Sequence, residues 1–141
     1  MLTIARDVLD AVVAHAQQCY PDEACGVIAG PEGSDRPERF IPIPNSSDSP
    51  PTFYEFSSAD LFALYRGMAE RGEDPVVVFH SHTATEAYPS PTDVRIASEP
   101  YAHYLLVAIA DDVGEKVRSY RIVDGVVTEE EVVVVPALDP A

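Results

Sequence analysis

Apolar positions along the chain switch between two spacings, and the switches divide it into elements. Over residues 3–18, Ile4, Val8, Val12 and Ala16 recur four apart, with Leu9 and Val13 beside them. That spacing puts one apolar stripe on a helix, so an amphipathic helix is expected over 3–18. It should stop near Cys19 or Tyr20, because Pro21 follows. His15 rides on this helix at its surface or boundary. After a short connection, Cys25-Gly26-Val27-Ile28-Ala29-Gly30 reads as a small-residue strand. Residues 31–37, PEGSDRP, form a turn or loop by composition. Phe40, Ile41 and Ile43 indicate an irregular strand, and Pro42 and Pro44 confine it to an edge, since proline cannot donate to a central ladder. Residues 45–51 read as an exposed, mobile polar loop, and Phe53, Tyr54 and Phe56 as a brief extended segment.

A second helix begins at Ser57 or Ser58, with Asp60 placed as in a capping box, and runs through Leu61, Leu64, Tyr65 and Met68 to stop near Gly72. The unbroken apolar run 76–79 is a buried strand that carries on into His80. Residues 83–89 form a loop. Ser90-Pro91-Thr92-Asp93 then opens a short helix, with Ser at the cap, Pro at the first helical position and Asp three after the cap. It lasts until Pro100. The strand 104–110, preceded by His103, is apolar enough to be central. Residues 116–123 alternate in part, Asp124-Gly125 is a hairpin turn, and 126–127 with 132–135 would form the returning strand. No repeat or boundary interrupts the chain. The expectation is one domain, 1–141, of mixed α/β (α+β) class with a central mixed sheet flanked by helices.

Composition narrows the partners. The 141 residues include 24 acidic and only 9 basic ones, a net charge of −15. Nucleic acid is a poor partner for such a surface, because phosphate binding needs a basic face. The charge serves solubility, or attracts a cation or a partner with a basic surface. Cys19 and Cys25 match no zinc-knuckle spacing, and a domain of this size has no need of a disulfide. No signal-like segment is visible at the start, and no apolar run approaches the roughly 20 residues that span a bilayer. The expected location is cytoplasmic, away from membranes. Oligomeric state is open, a homodimer included.

The chemistry concentrates at the end of the 76–80 strand. His80 and His82 lie two apart, so they share a face about 6.6 Å apart along the strand, while Ser81 faces away. Eleven residues beyond His82, at a helix start, comes the carboxylate of Asp93. Two imidazoles and one carboxylate are an open zinc set, with the fourth position left for water. Each residue also has a plainer account: a buried histidine is usually structural, and Ser90 with Asp93 is a sufficient helix cap. The pairing of these residues at the polar end of an apolar strand is what favours a metal.

His80-Ser81-His82, followed after seven residues by Ser90 and after two more by Asp93, resembles the motif of the JAMM/MPN+ metalloproteases. Glu23, in EACGVIAG, matches that family's separate upstream glutamate. The resemblance covers nearly the whole chain and implies a cytidine-deaminase-like fold. It also implies one zinc per chain on His80, His82 and Asp93, Glu23 as general base, and Ser90 as donor to the developing oxyanion. A deaminase is the rival within that fold, but it needs H-x-E and a C-x-x-C pair, and no C-x-x-C occurs here. Members of the family cut the amide after the Gly-Gly of ubiquitin-like proteins.

The segments PDEACGVIAGPEGSDRPERFIP, HSHTATEAYPSPTD and RSYRIVDG are similar to a narrower group, the actinobacterial peptidases of a sulfur-carrier pathway. That likeness implies hydrolysis of a cysteine adduct at the C-terminal Gly-Gly of a small ubiquitin-like carrier. Another ubiquitin-like modifier is the alternative substrate, and a non-catalytic scaffold the third reading. Scaffolds of this type lose motif residues, and none is lost here. The tail would add to a sheet edge near residues 83–89 and 53–56, with Tyr88 as the contact or as a packed loop tyrosine. Cys25 reads as a free core thiol.

Overall fold

The computed structural model describes residues 1–140; Ala141, the last position of the expected 1–141 domain, lies outside the described residues. A six-stranded mixed sheet forms the centre, in the order β3-β2-β4-β5-β6-β7. Its strands are β2 (Cys25–Pro31), β3 (Arg39–Ile43), β4 (Glu73–His82), β5 (His103–Ala108), β6 (Val117–Val123) and β7 (Val126–Glu130). The β4–β5 pair is parallel and its neighbours are antiparallel. The helices are α1 (Arg6–Cys19), α2 (Ser58–Arg71) and α3 (Pro91–Ile96).

Both faces of β2, β4 and β5 are covered, which is why their sequences read as continuous apolar runs. Ile28, Val77, Phe79, Leu105 and Val107 point one way and pack with Leu9, Val12 and Ala16 of α1. Val27 and Ala29 point the other way and meet Leu64 and Met68 of α2. On that second face Val78, Tyr104, Leu106 and Tyr120 make a further cluster, with Val94 of α3 against it. The period of two therefore sends His80 and His82 to the α2/α3 side and Ser81 to the α1 side. Gly26 is required by packing, since a Cβ there would sit 2.6 Å from the Ile41 carbonyl oxygen on β3.

Most of the expected elements are present. The 40–43 strand is the edge strand β3, Ser57 caps α2 by accepting from Asp60 N–H, and Gly72 ends it in the left-handed region at φ 66°. The central strand is shorter than expected and starts at His103. Cys19 and Cys25 are both free thiols. His15 is half-buried, with its ring edge-on to Phe40.

Two expectations are corrected. The first helix does not begin at Thr3: Leu2–Ala5 form a separate strand, β1, with Leu2 and Ile4 fully buried. The last apolar run, Val132–Val135, is not part of the returning hairpin strand. It is β8, which pairs in parallel with β1 as a two-stranded sheet. Long-range pairing decided both cases, and local periodicity carries no record of a partner 130 residues away. Residues 53–56 form no strand. Among the described residues, no helix is long and apolar enough to cross a membrane.

The hairpin is anchored to the sheet by Glu130 at the end of β7. Its Oε2 lies 2.6 Å from His103 Nδ1 and accepts from Ser119 Oγ at 2.7 Å, and His103 Nε2 is 2.6 Å from Asp35 Oδ1. Burial works to raise the Glu130 carboxyl, but the bonds from His103 and Ser119 outweigh it and hold it down at about 2. A carboxyl depressed on folding stabilises above its unfolded pKa and stops doing so as pH falls through the folded one. Glu130→Gln is therefore expected to cost on the order of 3 kcal/mol at neutral pH, with the gap to wild type closing between about pH 5 and pH 2. Urea unfolding of both proteins across that range checks it; a gap that does not change with pH contradicts it.

Candidate metal centre

The centre is assembled from three pieces of chain at one end of the sheet. Register sets the first two. Cys25 of β2 pairs with His80 of β4 in antiparallel fashion, so the chain preceding β2 runs alongside the end of β4. The pairing continues one step further: Ser81 N–H donates to the Ala24 carbonyl at 3.0 Å, and Ala24 N–H donates to Ser81 Oγ at 2.8 Å. This two-way clamp brings Glu23 beside His82. The middle residue of the His-Ser-His run thus faces away from the centre, as its spacing requires, and fixes the strand next door.

The third piece is the start of α3. Ser90 Oγ accepts from Asp93 N–H at 3.1 Å, and Asp93 Oδ2 accepts from Ser90 N–H at 2.8 Å, a complete capping box. The box holds the Asp93 carboxylate on the centre. Its Oδ2 lies 3.1 Å from both His80 Nε2 and His82 Nε2, and those two nitrogens are 3.2 Å apart. Three ligand atoms therefore make a nearly equilateral triangle. Donors bound tetrahedrally at about 2.0–2.1 Å, as zinc binds nitrogen and oxygen, stand roughly 3.3–3.4 Å from one another. The residues fit such an ion, and this is the group of potential metal ligands found among the described residues.

The ring orientations agree with that fit. His82 Nδ1 donates to the Glu86 carbonyl at 2.8 Å, so its Nε2 is the nitrogen left to face the triangle. The His80 ring lies against Tyr54, with ring centroids 4.5 Å apart and planes 24° from parallel. His80, His82, Asp93 and Glu23 are all buried. Burial lowers the His80 pKa despite the Asp93 bond, whereas for His82 the bonds to Asp93 and the Glu86 carbonyl overcome burial and raise it. For Asp93, burial is outweighed by the two histidines and the Ser90 N–H, and the carboxyl is held well below its usual range. Glu23 is the opposite case. Burial pushes it up to about 8, with His82 opposing and Asp93 reinforcing the shift. Its buried Oε1 has no hydrogen-bond partner among the described residues, as does His80 Nδ1.

All five residues singled out in the sequence, Glu23, His80, His82, Ser90 and Asp93, are brought to this end of the sheet. Two further participants were missed. Tyr54 carries no signal in the sequence beyond its extended segment, since no motif marks a ring stacked on a histidine. Asn45 lies in the stretch whose composition predicts an exposed, mobile loop. Its side-chain NH2 instead donates to the carbonyls of Glu23 (3.0 Å) and Phe53 (2.9 Å), and its Oδ1 accepts from Glu55 N–H at 3.1 Å. Glu23 N–H donates to the Pro50 carbonyl at 2.7 Å. An Asn in a polar stretch is a turn signal, and that signal was the available clue.

Residues 5–123 match the family described as prokaryotic homologs of the JAB domain. The chain is 58% identical over 135 residues to a protein of Mycobacterium tuberculosis (strain ATCC 25618 / H37Rv) named CysO-cysteine peptidase, covering 96% of this chain and 92% of that one. It is 30% identical over 109 residues to a desampylase of Haloferax volcanii, covering 74% of this chain and 78% of the other. The solution structure of a protein from Desulfitobacterium hafniense superposes with a TM-score of 0.83 at 31% identity, covering 99% of this chain and 96% of that one. The match runs from the end of β1 to the end of β6 and takes in every residue around the triangle, so the chain belongs to the prokaryotic branch of the JAB-domain family.

Proposed function

We propose that this protein is a zinc-dependent amide hydrolase that releases cysteine from the C-terminal Gly-Gly of a small ubiquitin-like sulfur-carrier protein. The carrying observation is the triangle of His80 Nε2, His82 Nε2 and Asp93 Oδ2: three protein donors, the number found in hydrolytic rather than structural zinc sites. These three residues would hold one ion per chain. When bound, zinc supplies Lewis acidity, making water acidic near neutral pH and drawing charge from an amide carbonyl.

The chain's own groups divide the remaining work. Glu23, clamped beside His82, is the base that takes a proton from water and hands one to the departing amine. Its buried Oε1 has no hydrogen-bond partner among the described residues, so it is free to take that proton and return it. Ser90 Oγ accepts from Asp93 N–H and retains its own O–H, which it gives to the oxygen that gains charge in the transition state. Likeness to the Mycobacterium tuberculosis CysO-cysteine peptidase over 96% of the chain supports the carrier–cysteine adduct as substrate. Tyr88, 46% exposed on the 83–89 loop and edge-on to Tyr120, is the side chain we assign to contact with the carrier tail, with a packed loop tyrosine as the alternative. The desampylase likeness favours a second reading in which the same chemistry frees another ubiquitin-like modifier.

Zinc-loaded protein incubated with a carrier–cysteine adduct is expected to lower the carrier mass by one cysteine residue; an unchanged mass contradicts the proposed substrate. Glu23→Gln is expected to keep one zinc per chain by metal analysis and to lose about 10²–10⁴-fold in turnover. Loss of the zinc in that variant would assign Glu23 to the ligand set instead. His82→Ala is expected to lose the metal itself.

A further inference from the structure

The two imidazoles of the triangle are oriented by different means. His82 has the usual arrangement for a metal-binding histidine, its second nitrogen donating to a carbonyl, here that of Glu86, with Thr85 Oγ1 at 3.3 Å. His80 does not. Its Nδ1 is buried and has no hydrogen-bond partner among the described residues. Rotation about the bond joining an imidazole to its Cβ is a soft torsion with broad wells. Turning His80 about that bond swings Nε2 out of the triangle, and with Nε2 given over to an ion no hydrogen bond at Nδ1 resists the turn.

The Tyr54 ring does. It lies on the face of His80 with centroids 4.5 Å apart and an interplanar angle of 24°, at the close end of the aromatic pair range. Tyr54 is itself 6% exposed and is packed at 5.8 Å from the Phe56 ring. Its backbone neighbours are tied on both sides by one side chain, since Asn45 donates to the Phe53 carbonyl and accepts from Glu55 N–H. The same amide donates to the Glu23 carbonyl. Tyr54 also lines a cavity of about 270 Å³ together with Phe56, Leu64, Val78 and Tyr104, and His80 is not among the residues lining it.

We propose that Tyr54 is the positioning residue of the metal centre, holding His80 in ligand orientation by ring stacking where His82 is held by a hydrogen bond. This rests on the reading of the triangle as a metal site. The flat face is what acts, so the phenol hydroxyl is dispensable and a side chain of similar bulk without a ring is not a substitute.

The test compares wild type, Tyr54→Phe and Tyr54→Leu by zinc competition against a chromophoric chelator, with the visible spectrum of the cobalt-substituted proteins as a second readout. Tyr54→Phe is expected to keep the wild-type zinc affinity and cobalt spectrum. Tyr54→Leu should bind zinc about 10–100-fold more weakly, the usual cost of losing a group that orients a ligand, and shift the cobalt bands. A folded Tyr54→Leu protein with wild-type affinity and spectrum overturns the proposal. So does weakened binding in Tyr54→Phe, which would assign the role to the hydroxyl. Tyr54→Met, close in volume and flexible, is read in the same way if the leucine variant does not fold. A wild-type protein that retains no zinc contradicts the metal reading itself, a separate outcome from either of these.

Discussion

The register between β2 and β4 is the constraint on which the rest depends. With Cys25 opposite His80, and Ala24 and Ser81 exchanging two hydrogen bonds, the chain can place Glu23 only at the end of β4 beside His82. A slip of one residue would turn every side chain of β4 to the other face. Val77 and Phe79 would leave the α1 core, and both histidines would enter it. The apolar alternation that builds the two cores is thus the same pattern that puts two imidazoles on one side and the serine clamp on the other. Folding and site assembly are one event in this strand.

Burial makes the centre costly for the fold alone. Two histidines and two carboxyls are removed from water within a few ångströms of one another, and burial by itself opposes every one of their charged forms. Asp93 is compensated locally, because the capping box gives it the Ser90 N–H and the histidines face its Oδ2. Glu23 receives no such compensation at its Oε1, and it is the group pushed towards holding a proton. The same α3 start that stabilises a short helix therefore delivers an ionised carboxylate, while the clamp delivers a protonatable one.

Much of this was legible in the sequence because the signals are local. The His-x-His spacing, the Ser-Pro-Thr-Asp cap and the apolar run before them are all written within about 20 residues, and each has a single-element geometry. Glu23 was reached only through resemblance to a family motif, since nothing in its neighbourhood distinguishes it from another surface glutamate. Strands β1 and β8 were misread because each is short and gains its identity from the other. Asn45 and Tyr54 were passed over for a related reason. They act across the fold, one by hydrogen bonds to three separated backbone positions and the other by contact between rings, and neither leaves a spacing in the chain.

On the proposed reading, the fold preforms a three-donor metal centre with Glu23 outside the ligand set. X-ray absorption at the zinc edge of the loaded protein tests this most directly. Two imidazole nitrogens and low-Z oxygen donors at about 2.0–2.2 Å are expected, with the pattern unchanged in Glu23→Gln. A sulfur scatterer near about 2.3 Å, or a first shell that changes when Glu23 is replaced, would contradict it.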